Sequence, residues 1–96
     1  MTARHASFVA LVGWYLMIPP PIPRMSPPVD FDAPLSEWIP FSLHDNVIEC
    51  EQDLVAFYKL AETELVANPT DEGDRIQFHQ LESAQCITSD DPRLVN

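Results

Sequence analysis

Basic residues are scarce in this chain of 96 residues: 5 Lys+Arg stand against 15 Asp+Glu, a formal net charge of −10. A nucleic-acid binder needs a basic patch to neutralise phosphates, so that class is excluded, as is simple adsorption to anionic lipid. Glycine is scarcer still, at 2 residues, which excludes a glycine-rich phosphate loop. None of the GxGxxG, GxxxxGK, HExxH or GxSxG patterns occurs. The longest uncharged apolar run, Ala6 to Ile18, has 13 residues. As a helix it spans about 20 Å, short of the ~30 Å hydrocarbon core, so a comfortable membrane span is the weaker reading.

That run instead has the form of a secretory leader. Arg4 and the terminal amine precede it, only Ser7 within it is polar, and Pro19-Pro20-Pro21 closes it. Residues 1–18 are therefore expected to be a signal peptide or a membrane anchor, tethering the chain through residues 6–18. A cut between Gly13 and Trp14 places a small residue at −1 but Leu11 at −3. Either the true start lies upstream or the segment stays uncleaved, in which case Trp14 and Tyr15 suit the membrane interface. The competing expectation is a buried N-terminal helix of a cytosolic domain. Six of the ten prolines follow within Pro19–Pro28. Residues 19–34 are accordingly expected to form an extended, polyproline-II-like linker. Pro20 to Pro23 matches PxxP, a weak motif beside its role as a stiff spacer.

Residues 35–96 then form one small domain. The predicted class is α+β, with one long amphipathic helix, a shorter helix and two short strands, stapled by one disulfide. Trp38–Leu43 reads as a short edge strand because Pro40 lacks an N–H. His44-Asp45-Asn46 reads as a turn. Val47, Cys50, Leu54, Phe57/Tyr58, Ala61 and Leu65 recur at helical spacing, predicting a helix from Asn46 to Ala67. Asn46 and Glu49 have capping-box spacing, and Glu49, Glu51 and Asp53 suit the positive end of the helix. Asn68-Pro69 stops it. Asp71–Asp74 reads as an acidic turn, and Ile76–Ala84 as a second helix or the start of a strand. Gln85–Thr88 reads as a strand and Ser89-Asp90-Asp91-Pro92 as a turn, with Arg93–Asn96 loosely held. Trp38, Phe41, Phe57 and Tyr58 are the expected core aromatics.

Chemistry-bearing residues are few. Cys50 lies on the apolar stripe of the long helix and Cys86 in the apolar second strand. An even count in a short exported chain reads as a disulfide, whereas a cytosolic chain would keep both thiols free and buried. Without CxxC spacing they are not a redox pair. His44, Cys50, His79 and Cys86 have gaps of 6, 29 and 7, unlike the close pairs of a zinc site. Asp90 and Asp91, with Asp71, Glu72 and Asp74, could bind a divalent cation, but none fits the calcium-loop pattern. An Asx turn taking backbone N–H groups, with Arg93 paired to one carboxylate, is the better reading. No catalytic, cofactor-binding or metal residue is assigned.

Four pieces in order carry a resemblance: Trp14-Tyr15-Leu16-Met17 with Pro19-Pro20; Pro34-Leu35-Ser36-Glu37-Trp38; Glu49-Cys50; and Cys86-Ile87-Thr88-Ser89-Asp90-Asp91-Pro92-Arg93-Leu94. Together they resemble a family of short uncharacterised bacterial exported proteins. The resemblance implies a hydrophobic leader, two paired cysteines and no assigned activity. The expected function is a non-enzymatic protein-interaction module, exported to the periplasm, secreted, or tethered to the inner membrane. Its candidate partner surface is Ser89, Asp90, Asp91 and Arg93, or the Pro-rich arm, and its protein partner is unknown. The alternatives are a cytosolic acidic adaptor with reduced cysteines and, behind it, a small metal-dependent hydrolase using His79, Asp90 and Asp91.

Overall fold

The structure, a computed structural model, describes residues 12–95. Three strands, β1 (Trp14–Ile18), β2 (Ile39–His44) and β3 (Gln85–Thr88), form one antiparallel sheet in the order β2-β1-β3. Two helices, α1 (Val47–Ala67) and α2 (Glu72–Glu82), lie between β2 and β3 in the chain. One-turn 3-10 helices occupy Leu35–Glu37 and Pro92–Leu94. The class is α+β, as expected, with a third strand that the sequence reading did not anticipate.

That third strand corrects the leader. The run's last five residues, 14–18, are β1, the centre of the sheet, and neither helix nor anchor. Leu16, Met17 and Ile18 are buried, and their alternation sends them to opposite faces. A strand buried on both faces reads as a continuous apolar run, which periodicity alone cannot tell from a short apolar helix. The remainder of the expected leader, residues 1–11, lies outside the described residues. Among the described residues no helix is long and apolar enough to cross a membrane.

The linker is corrected as well. Residues 19–34 fold back on the domain instead of extending away from it. Ile22 N–H donates to the Pro28 carbonyl at 2.7 Å and Asp30 N–H to the Pro20 carbonyl at 2.9 Å, closing a loop with Pro21 opposite Val29. Proline lacks a donor but keeps its carbonyl, and these carbonyls serve as the acceptors. The Gln80 side chain, buried on α2, donates to the Pro19 carbonyl at 3.0 Å. Glu72 accepts from Arg24 N–H at 2.9 Å, and Arg75 donates to the Met25 carbonyl at 3.0 Å. Arg24 holds a left-handed backbone, φ 69°, which non-glycine residues adopt at a cost. The two contacts from α2 flank that residue and fix it.

α1 starts where its cap lies: the Asn46 side chain accepts from Glu49 N–H at 2.9 Å. α2 begins at Glu72, four residues before the expected Ile76. The acidic turn is its cap, with Asp71 accepting from Asp74 N–H at 2.8 Å. Both helices cover the face of the sheet that carries Ile18. There Ile18, Ala61 and Leu81 form a buried cluster flanked by Phe41, Phe57, Tyr58, Phe78 and Ala84. The register of β2 slips between Leu16 and Met17, leaving Phe41 as the extra residue of a bulge. Phe41 meets Phe57 edge-on at 5.0 Å. Cys50 and Cys86 are joined, with Cα atoms 6.1 Å apart, tying the first turn of α1 to β3. By the loop-entropy account, closing 36 residues stabilises the fold by about 4 kcal/mol.

Candidate functional site: an open sheet face

Among the described residues no α-helix lies over the other face of the sheet. Met17, Trp38 and Ile87 form its buried cluster, with Tyr15, Ala33, Leu35 and Leu94 around them. Tyr15 stands opposite Leu43 on one side and Ile87 on the other, so these three share a row. Cover among the described residues comes from Ala33 and from the two one-turn helices, which meet beside Trp38. Between them remains an open depression of about 240 Å³, lined by Tyr15, Met17, Leu35, Ser36, Trp38, Pro40 and Leu94. Trp38 is 7% exposed, and its indole N–H donates to the Ala33 carbonyl at 2.9 Å. It is therefore the floor of the depression, with its polar edge already satisfied.

The expected partner surface borders this depression, but its four residues divide. Ser89 holds the sheet: its N–H donates to the Gly13 carbonyl at 2.8 Å, and its hydroxyl accepts from Gly13 N–H at 3.0 Å. Asp91 caps the last turn, accepting from Arg93 N–H at 2.8 Å and from the Arg93 guanidinium at 2.9 and 3.1 Å. The hydrogen bonds from the Arg93 side chain, then from its backbone, lower the Asp91 carboxyl below its ordinary value. The same pairing raises the Arg93 guanidinium. Asp90 and Arg93 face solvent, the Arg93 side chain being 66% exposed. The Asx turn is thus present, and it corrects the expected loose end: Arg93 is fixed by Asp91, and Leu94 packs on the Trp38 cluster. Asn96 lies outside the described residues.

The proposed hydrolase set does not assemble. His79 pairs with Glu82 on its own helix at 3.1 Å, Asp91 with Arg93, and no hydrogen bond or ion pair joins His79 to either aspartate. Cys50 and Cys86 are spent in the disulfide, and among the described residues no group of three His, Cys, Asp or Glu side chains is placed to hold a metal ion.

A different trio does assemble, one that sequence reading missed. His44 ends β2 instead of lying in the turn, and its Nε2 meets Ser42 Oγ at 2.8 Å and Asp53 Oδ2 at 3.2 Å. Ser, His and Asp suggest a nucleophile relay, but a relay needs serine and carboxylate on opposite ring nitrogens. Here both compete for one nitrogen. The carboxylate calls for the proton on Nε2, which leaves no lone pair there to receive the serine proton. With its side chain 12% exposed, His44 acts as a clasp between the end of β2 and the second turn of α1. Its sequence signal was the i, i+2 placement of Ser42 and His44 on one strand face, which only a known helix position could join to Asp53.

The residues of the open face were hidden for a related reason. Tyr15 and Met17 fell within the expected leader, and Leu35 had no partner until the Pro-rich loop folded back. No family model matches the chain, and no curated protein or solved structure matches it either.

Proposed function

We propose that this chain is a non-enzymatic interaction module of an oxidising compartment, whose open sheet face receives an apolar segment of another protein. The observation that carries the reading is the asymmetry of the sheet. One face lies under two helices, whereas the other keeps an apolar depression lined in part by Leu94, next in the chain to the exposed Arg93. Its volume, about 240 Å³, falls below the roughly 300–1,000 Å³ of ordinary small-molecule sites. It suits one large apolar side chain anchored over Trp38, with its flanking chain along the exposed edge strand β2. The disulfide suggests an extracytoplasmic home, because cytosolic thiols are kept reduced. A periplasmic, secreted or membrane-tethered location is the finer proposal, supported by the apolar residues before Val12 and by the resemblance to exported proteins.

The test is site-specific photo-crosslinking in cells. A photoreactive residue at position 93 should give one discrete adduct, and the same residue at position 51, exposed near the start of α1, should not. Leu94→Asp should abolish the adduct while leaving the helical circular dichroism unchanged. Equal adducts at both positions, or none at 93, would overturn the proposal.

A further inference from the structure

A second surface lies on the far side of the molecule from the open sheet face. α1 and α2 form an antiparallel pair, and one flank of that pair is closed by the Pro-rich loop through Glu72, Arg75 and Gln80 of α2. Among the described residues the other flank is open. A groove of about 270 Å³ runs there between the helices, lined by Phe57, Leu60, Ala61, Glu64, Asp74 and Gln77. Its floor is apolar, from Phe57 and the buried Ala61. Leu60 stands beside it, 56% exposed. Its rim carries carboxylates from both helices, Glu64 on α1 and Asp74 on α2.

The surrounding charge is mainly negative. From residue 47 to 82 there are nine carboxylates, against Lys59 and Arg75. Arg75 is engaged, 3.4 Å from Glu72 and bonded to the Met25 carbonyl. A groove with an apolar floor and a polar, acidic rim attracts cations and buries the apolar side chains that accompany them. An anionic or purely apolar ligand meets the wrong potential or leaves the carboxylates desolvated without a partner.

We propose that the α1–α2 groove docks a cationic amphipathic helix of a partner protein. Its apolar stripe lies on Phe57 and Leu60, and its Lys or Arg side chains reach Glu64 and Asp74. This is helix-in-groove recognition, in which apolar anchors supply affinity and flanking charges fix orientation. It is independent of the sheet face, so either surface can fail its test without the other.

The probe is a fluorescent synthetic peptide of leucine and lysine with one apolar helical face, titrated against the full-length oxidised protein by anisotropy. A scrambled peptide of identical composition supplies the reference for charge attraction alone. The amphipathic peptide should bind at least tenfold more tightly than the scrambled one. Glu64→Gln with Asp74→Asn should weaken it about tenfold, and so should Leu60→Ser, which removes an exposed side chain and should spare the fold. Glu49→Gln with Glu51→Gln removes the same charge from the first turns of α1 and should change binding less than twofold. Equal binding of the two peptides, equal loss in the two charge variants, or no binding would each overturn the proposal.

Discussion

Replacement of Leu16 by alanine separates a leader from a structural strand. In a cleaved leader the substitution would leave the mature protein untouched. As the centre of β1 it removes a side chain that is 0% exposed, in register with Ser42 on one side and Cys86 on the other. Large-to-small substitution at such a site costs about 2–5 kcal/mol, depending on how far the surroundings collapse into the space. Here they can collapse little: the disulfide holds Cys86 to α1, and strands flank both edges of β1. The upper half of that range, about 3–5 kcal/mol, is therefore expected. Domains of this size have about 5–15 kcal/mol in total, so the variant should lose from about a fifth to all of its stability. With an urea slope near 1 kcal/mol/M, the midpoint should fall by about 3 M or more. The assay is urea unfolding of the oxidised protein followed by circular dichroism, with intact mass confirming that residues 14–18 are present. A midpoint unchanged within 0.5 M (about 0.5 kcal/mol at that slope), or a folded mature species that starts at Pro19, would refute the placement of β1 in the core.

Three further outcomes follow from the same contacts. Cys50→Ser with Cys86→Ser should cost about 4 kcal/mol in chemical denaturation, and the wild-type protein should be about 2 Da lighter before reduction than after it. Because Asp91 is lowered by its bonds to Arg93, the turn it caps is fully stabilised above the ordinary carboxylate range and loses that stabilisation as pH falls through the depressed value. Amide exchange at Arg93 and Leu94 should therefore accelerate below about pH 4 beyond the intrinsic rate, and Asp91→Asn should remove that pH dependence. Glu72→Ala should release the backbone of Arg24, so that trypsin cuts at Arg24-Met25 faster than at the other basic residues, with the cleaved masses read by mass spectrometry.

How much of this could be read in the sequence depended on whether the signal was local. α1 was legible because Asn46, the 3.6-residue spacing and Asn68-Pro69 all lie within one element. The Asx turn at Asp91 was legible for the same reason. The start of α2 was missed because Asp71–Asp74 was taken as a turn, although Asp71 three residues before Asp74 is also a cap. β1 was not legible, since burial on both faces erases the alternation that marks a strand. Its identity depends on β2 and β3, which lie far along the chain. The prolines of 19–34 announced stiffness but not direction, and only the donors that reach their carbonyls made the loop return. The disulfide was anticipated from cysteine count and placement. The open face was not, because Tyr15 and Met17 meet Leu35, Trp38 and Leu94 only across segments far apart in the chain.

The strand order has a consequence for synthesis. The first strand to leave the ribosome takes the middle place, and its row from Leu16 to Cys86 joins residues about 70 positions apart. β1 can pair with β2 once the loop has emerged, but a two-stranded ribbon is marginal alone. The sheet is completed only when Gln85–Thr88 appears. Non-local pairing of this kind slows closure, so β1 and β2 wait for β3 before the sheet can close, and with it the disulfide that ties β3 to α1.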